Sequence, residues 1–567
     1  MMDSRRTFLK LFGAGLTGAT WTAASLDAFG RDHRTSPFGR FTPIRVGRED
    51  ALRLPPEFTY DVVALWGDRL PGTTDRFGFN ADFTAFFPIG TSGHEGVLWV
   101  NHEYIKDPKQ PFSLYGQSAP AVLGHEATVE DELTDIGGSV LHLRRTNGRW
   151  TVVASPLTRR FNVRSRLTAT GPALRDAGDV GGTLANCSGC QTPWNTVLSC
   201  EENFQDVVPE AVDTAGRGTI GGRFNRNGAH FGWVCEFDPF DPDFTPVKHT
   251  ALGRFRHENV TLRVTPGAPA VAYMGDDRTD GHVYRFVSSA RYEPGRQRNR
   301  GSLLADGRLY AAVFHADGTG TWRELTAATP LAPNAASPVP TVPAGARTLG
   351  DIYANQGAIV TDAFRASNLI GATECGRPED LEVHPVDGSV FIAFTAAAER
   401  GARLFSNLYG EVWRIAEDGD GTGLHFTWSR WCAGGPNTTA RGGAIFAAPD
   451  NMLFDRAGNL WLACDMSSSV LAGDDPRYAA FGNNGLFFVP VTGPTSGIPQ
   501  QFASGPSECE LTGPSWSADD STLFLSVQHP GEAHGVRQSR ADSRGSNWPR
   551  GTAGQTPRPG VVAIRRR

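Results

Sequence analysis

The stretch Gly376 to Thr395, GRPEDLEVHPVDGSVFIAFT, gathers one arginine and three carboxylates at the mouth of a strand–turn–strand unit. Arg377, Glu379, Asp380 and Glu382 lead into LEVHP, which reads as a strand. A turn at Val386-Asp387-Gly388 follows, and SVFIAFT returns with the β-branched and aromatic residues of a buried strand. Glu258, Asp450 and Glu510 stand in the same way before apolar runs, while Glu103, Glu201 and Glu202 follow them. Carboxylates brought together repel and rise in pKa unless cations neutralise them, so this set points to metal binding. Its oxygens suit calcium, whereas the thiol of Cys187 favours iron or another softer metal.

The metal-ligand candidates are therefore Cys187, Glu201, Glu202, Glu258, Glu379, Asp380, Asp450 and Glu510, with Arg377 and Glu379 as candidate catalytic residues. The guanidinium of Arg377 suits a phosphate or carboxylate of a substrate, or equally a structural ion pair with Glu379 or Asp380. His529 and Glu532 either ligate a metal or cap a strand, and His529 reads as structural. Trp194 and Trp516 read as core. No Gly-x-Ser-x-Gly elbow, phosphate-binding loop or His-Glu-x-x-His motif occurs, which removes the common hydrolase motifs.

These residues have to be positioned by a repeated element. Strand–turn–strand units occur at Thr84–Val100, Thr192–Ser199, Thr261–Met274, Leu381–Thr395, Met452–Ala463 and Ser515–Val527. In the last four, an acidic residue precedes the first strand and a polar residue closes the second 15 to 19 positions later. Repeated short antiparallel strands mark a β-propeller, where the entry residues of successive inner strands converge on a central channel. The expected fold is all-β: a six-bladed β-propeller over residues 31–567, with long inter-strand insertions near 104–180, 203–230 and 290–350 and a few short helices. One such helix is expected at Ile359–Leu369. Stacked β-sandwiches are the alternative, and they predict no convergence.

Gly 66 and Pro 38 among 567 residues agree with many turns, and a formal net charge of −6 disfavours nucleic acid as a partner. Residues 1–30 read as a twin-arginine signal peptide: Ser4-Arg5-Arg6-Thr7-Phe8-Leu9-Lys10 precedes a weakly apolar run from Leu11 to about Ala24. That run is short for a membrane span. Export of an already folded protein to the periplasm or beyond is expected, with no stable membrane anchor. The eight cysteines are irregularly spaced, and Cys187-Ser188-Gly189-Cys190 lacks the context of a redox or zinc motif.

At these residues the chain resembles the PhoX-type alkaline phosphatases. The resemblance runs through Trp66-Gly67-Asp68, Phe77-Gly78-Phe79-Asn80, Trp99-Val100-Asn101-His102-Glu103, Asn186-Cys187-Ser188-Gly189 and Ser199-Cys200-Glu201-Glu202. It continues in Arg256-His257-Glu258, Gly275-Asp276-Asp277, Gly376-Arg377-Pro378-Glu379-Asp380, Pro449-Asp450, Cys509-Glu510-Leu511-Thr512-Gly513 and Gln528-His529-Pro530-Gly531-Glu532. It implies a six-bladed propeller whose channel holds two iron ions and two or three calcium ions; a monomer is the expected state. It also implies hydrolysis of phosphomonoesters to inorganic phosphate by a metal-bound oxygen nucleophile. By the same resemblance Cys187 binds iron, Glu258, Glu379 and either Glu201 or Glu202 bind metal, and Arg377 holds the phosphate. Cys190, Asn195 and Asn451 stand where the family pattern has glycine, and Cys190 can also form a disulfide, with Cys200 as candidate partner. The alternatives are another metal-dependent hydrolase on this scaffold, a phosphodiesterase or lactonase, and a non-catalytic calcium-stabilised binding propeller.

Overall fold

The computed structural model describes residues 38–567 apart from 107–112, 176, 214–215, 296–298, 338–340, 399–403, 437–442, 474 and 540. The twin-arginine segment lies outside the described residues. Six inner strands line the axis: Ala81–Pro88, Asn186–Gln191, His257–Arg263, Pro378–Val383, Pro449–Phe454 and Glu510–Trp516. Each packs against the next, and Glu510–Trp516 packs back on Ala81–Pro88, so the ring is closed. Every inner strand starts an antiparallel meander running outward, for example Pro449–Phe454, Leu460–Cys464, Gly485–Val489 and Gln500–Ser504.

Four of these meanders are separate sheets; the other two are merged in one nine-stranded sheet. The merger is made at the outside, where Thr319–Glu324 pairs with both Gly307–Phe314 and His425–Ala433. The expected propeller is thus present, with its third and fourth blades sharing an outer strand rather than standing apart. The last blade is closed by Phe58–Leu65, which pairs with the C-terminal strand Gly560–Arg566 and ties the two ends of the chain together.

The second strands are buried along nearly their whole length because a neighbouring blade covers each face, so they read as continuous apolar runs. Side chains alternate between the two neighbours. Val97 and Trp99 join Val197 and Phe237 of the second blade, while Leu98 and Val100 join Phe524 and Val561 of the last. In the same way Leu460 and Leu462 meet Phe391 of the fourth blade, and Trp461 and Ala463 meet Leu523 and Leu525 of the sixth. The outer strand His425–Ala433 instead alternates exposed and covered residues.

Local expectations shift in three places. In the second unit the inner strand is Asn186–Gln191, and Thr192-Pro193-Trp194-Asn195-Thr196 is the turn, closed by Thr192 N–H on Thr196 O with Asn195 at φ +63°. The helix expected at Ile359–Leu369 is two short helices, Gln356–Thr361 and Ala363–Leu369. Within 104–180, the strands Gly137–Thr146 and Arg149–Val152 complete the first blade, preceded by helices Leu114–Val122 and Val129–Asp135. All eight cysteines are free; Cys190 pairs in register with Leu198, one pleat short of Cys200, so no disulfide joins them.

The segment before the first strand acts as a strap. Phe38 is fully buried against Phe58, Trp461, Phe502 and Trp516, joining the fifth blade to the sixth. Arg53 and Ser504 exchange backbone hydrogen bonds beside it. Phe38→Ala is expected to destabilise the protein by about 3–5 kcal/mol through the lost burial and the cavity left behind. Urea unfolding of parent and variant at equal cation concentration measures it, and an unchanged midpoint would remove the strap from the core.

Candidate metal centre

One backbone device repeats around the axis. Ala81 pairs with His102 and Thr84 with Val100, so two residues on the inner strand, Asp82 and Phe83, oppose one, Asn101, on its neighbour. The same bulge recurs after Asn186, His257, Pro378 and Pro449. The residue directly after each of these five is Asp82, Cys187, Glu258, Glu379 or Asp450, and all five line one channel cavity. In the sixth blade the bulge comes later, between Thr512 and Ser515, yet Glu510 reaches the same cavity. A left-handed residue stands two positions before the channel residue in five blades: Asn80, Ala185, Arg377, Ala448 and Glu508, at φ between +51° and +55°. Bulges re-aim side chains, and strained backbone that persists at equivalent points calls for a functional reason.

In the third, fourth and fifth blades the next residue in the bulge turns sideways and latches neighbouring blades together. Asn259 donates its amide to Asp380 and to Leu381 O, Met452 N–H donates to Asp380, and Gly513 N–H donates to Asn451 Oδ1 at 2.7 Å. Asp380 is therefore turned between the third, fourth and fifth blades and is absent from the cavity lining, contrary to its place among the expected ligands. The pleat gives the reason: Glu379 faces the axis, so its neighbour cannot. Glu382 likewise lies off the cavity, at 3.3 Å from Thr261 Oγ1.

Glu201 and Glu202 separate by the same rule. Glu202 lines the cavity, whereas Glu201 points into the second blade, where its carboxylate meets Lys248 Nζ at 2.7 Å with both side chains fully buried. Thr183 Oγ1 and the N–H groups of Gly232 and Trp233 also donate to it. Lys248 neutralises Glu201 outright, leaving Glu202 as the member of the pair at the channel.

The cavity has a volume of about 730 Å³, and its lining includes eleven carboxylates against three permanent cations, Lys106, Arg223 and Arg377. Cys187 Sγ lies 3.0 Å from Glu258 Oε2 and 3.3 Å from Asp82 Oδ2. Three overlapping triads, Asp82–Glu103–Cys187, Cys187–Glu202–Glu258 and Glu258–Glu379–Asp450, hold potential ligand atoms within 4.8 Å of one another. Burial and mutual repulsion push Asp82, Glu202, Glu258 and Glu510 well above the usual carboxylate range. Burial also raises Glu379, although Arg377 opposes it, and lifts Glu103 to about 7 and Asp465 to about 6. The Cys187 thiol is raised by burial and by the surrounding carboxylates. Hard oxygens with a single sulfur, buried and close together, fit bound cations and fit little else.

Arg377 stands at the edge of this wall. Its Nε and Nη2 donate to Asp277 at 2.9 and 2.8 Å, and Nη2 also lies 2.8 Å from Glu379 Oε1. Both roles open in the sequence are thus compatible, since the ion pair orients the guanidinium while the side chain stays 30% exposed. His529, expected as structural, lines the cavity between Glu510 at 3.7 Å and Glu532 at 3.8 Å.

Asp82, Asp277 and Asp465 were missing from the expected ligands. Asp82 carried a signal: it is the first-blade counterpart of Glu258 and Asp450, hidden because the apolar run starts only at Thr84. Asp277 and Asp465 end or follow second strands, where alternation offers no clue.

Residues 39–531 match the family model for the alkaline phosphatase PhoX. The chain belongs to the PhoX alkaline phosphatase family. Among solved structures it is similar to Pseudomonas fluorescens PhoX in complex with vanadate, a transition state analogue. That similarity has 31% identity and a TM-score of 0.76, and covers 93% of this chain and 98% of that one. A gluconolactonase of Xanthomonas campestris, XC5397, is similar over 93% of this chain and all of its own, at 9% identity and a TM-score of 0.29. No curated protein sequence matches. Membership of the PhoX family makes the chain a metal-dependent phosphomonoester hydrolase. Among the described residues no helix is long and apolar enough to cross a membrane.

The raised carboxylates set the sign of the pH dependence. A carboxyl whose pKa is higher in the folded state stabilises the fold at low pH and withdraws that stability as pH rises through the folded value. Stripped of cations, the protein is expected to lose thermal stability between about pH 4.5 and 7, the window of Glu103, and further above it. Added calcium should reverse the loss. Melting curves in chelator from pH 5 to 9 check this, and a melting temperature that rises over that window would contradict it.

Proposed function

We propose that the channel wall formed by Asp82, Glu103, Cys187, Glu202, Glu258, Glu379 and Asp450 holds the cations at which phosphomonoesters are hydrolysed, with Arg377 as the phosphate clamp. The observation that carries this reading is the convergence of buried carboxylates and one thiol from five blades beside a half-fixed guanidinium. By ligand softness, the Cys187 end suits iron and the all-oxygen group Glu258–Glu379–Asp450 suits calcium. When bound, such ions supply Lewis-acid charge that polarises a phosphoryl group and acidifies water.

The chain's own residues perform the rest. Asp277 grips the Nε and Nη2 edge of Arg377, which leaves Nη1 without a protein partner among the described residues and open to a phosphoryl oxygen. A planar guanidinium held in this way stabilises charge on the transferring group without reorganising. His529 and Lys106 hold Glu532 down at about 2 despite its burial, so Glu532 stays charged in the channel. The blades keep these groups at fixed separations, which is what positional catalysis requires.

Residues 1–30 are read as a twin-arginine signal, which places the enzyme in the periplasm or outside the cell. That pathway carries folded proteins, in keeping with ions inserted before export.

Elemental analysis and a phosphomonoester assay on protein purified without chelator test the reading. Bound iron and calcium with turnover are expected; a parent with no metal and no turnover would overturn it. Cys187→Ala should lose iron and activity together. Arg377→Ala should keep its metals but raise KM and weaken inhibition by inorganic phosphate at least about tenfold, as expected for one charge-assisted hydrogen-bonded contact. Phosphodiester and lactone substrates run in parallel exclude the other hydrolase reactions.

A further inference from the structure

Gln528 ends the strand Thr522–Gln528 and is fully buried at the seam between the sixth and first blades. Its Nε2 donates to Asp82 Oδ2 at 2.9 Å and to Glu103 Oε2 at 2.7 Å. Each carboxylate has a second donor on its other oxygen: Thr512 Oγ1 on Asp82 Oδ1 at 2.6 Å, and Asn203 Nδ2 on Glu103 Oε1 at 2.7 Å. One neutral amide thus spans two buried carboxylates, of which Asp82 is raised by burial and by the charge of Glu103. Its own oxygen, Oε1, is buried with no hydrogen-bond partner among the described residues. Gln528 does not itself line the cavity, so its reach to the channel runs through the two carboxylates it holds.

The side chain is chemically specific for this place. A glutamate would add a third carboxylate and remove both donated hydrogen bonds. A leucine of similar size would leave Asp82 and Glu103 facing each other unbridged. Thr512 and Asn203 cannot replace the bridge, because each reaches only one of the two carboxylates.

We propose that Gln528 is a positioning residue for the cation held by Asp82, Glu103 and Cys187. Its amide nitrogen sets the separation of the two carboxylates, so it acts on the ion through them. This rests on the metal-channel reading above. Partners that orient ligands typically contribute about 10- to 100-fold to metal affinity, so Gln528→Leu and Gln528→Glu should both move metal retention.

The experiment dialyses parent, Gln528→Leu and Gln528→Glu proteins against graded chelator and reads iron and calcium by elemental analysis. Melting temperature is followed with and without added calcium, and KM and kcat after reloading. Both variants are expected to lose metal at chelator concentrations at least tenfold lower than the parent. Gln528→Glu should show the larger calcium-dependent rise in melting temperature. KM for the phosphate ester should stay close to the parent's, because Arg377 is untouched, while kcat falls. Should Gln528→Leu not fold, the nearly isosteric Gln528→Glu decides. Variants matching the parent in metal retention and calcium response would overturn the role of Gln528. A parent that binds no metal would instead sink the channel reading itself.

Discussion

Everything in this molecule answers to one repulsion. Several carboxylates and a thiol are buried around a single channel, and in low dielectric such groups cannot all be charged without compensating cations. The propeller supplies the restraint. Six interblade cores and a closed ring of inner strands hold the acidic wall in place against its own field. The lateral hydrogen bonds of Asn259, Asp380 and Asn451 add a polar belt just outside it. Cation binding and blade packing are therefore one problem: removing either loads strain on the other.

The bulge explains how a fold of simple meanders delivers such a site. A regular inner strand would direct alternate residues to the axis with no break at the mouth. In five of the six blades the extra residue tips one side chain inward, and in the third, fourth and fifth it turns the neighbour into a latch. Cys187 occupies the position that carboxylates hold in the neighbouring blades, so a single soft ligand enters a hard set without any change in backbone plan. Arg377 adds to this economy. It is the left-handed residue that starts the fourth blade's bulge, and its side chain stands beside the carboxylate that the bulge presents.

The strands were largely legible because interblade burial writes itself as apolar runs such as Val97-Leu98-Trp99-Val100 and Val390-Phe391-Ile392-Ala393-Phe394. The second unit was misplaced because Asn186-Cys187-Ser188-Gly189 is polar and small, with no hydrophobic signal of a strand. Its strand character comes from pairing with Val197–Glu201, beneath a channel that tolerates polar residues. The site was legible as a set of residue types, but not as a list. Asp82 hid behind a bulge, and Glu201 and Glu202 are equivalent in sequence until Lys248 claims one of them. Asp380 looks like Glu379 until its hydrogen bonds are seen.

The sequence by itself determined the repeat, the kinds of ligand it carries and, through its ordered motifs, a metal-dependent phosphatase. Those are properties of local spacing and side-chain chemistry, which a linear chain records. Tertiary structure alone decided which acids share a cavity, which serve as latches, and which amide bridges Asp82 and Glu103 from 446 and 425 positions away in the chain. Such choices depend on bulge register and on closure of the ring, and contacts closed over that distance leave no period in the sequence to read.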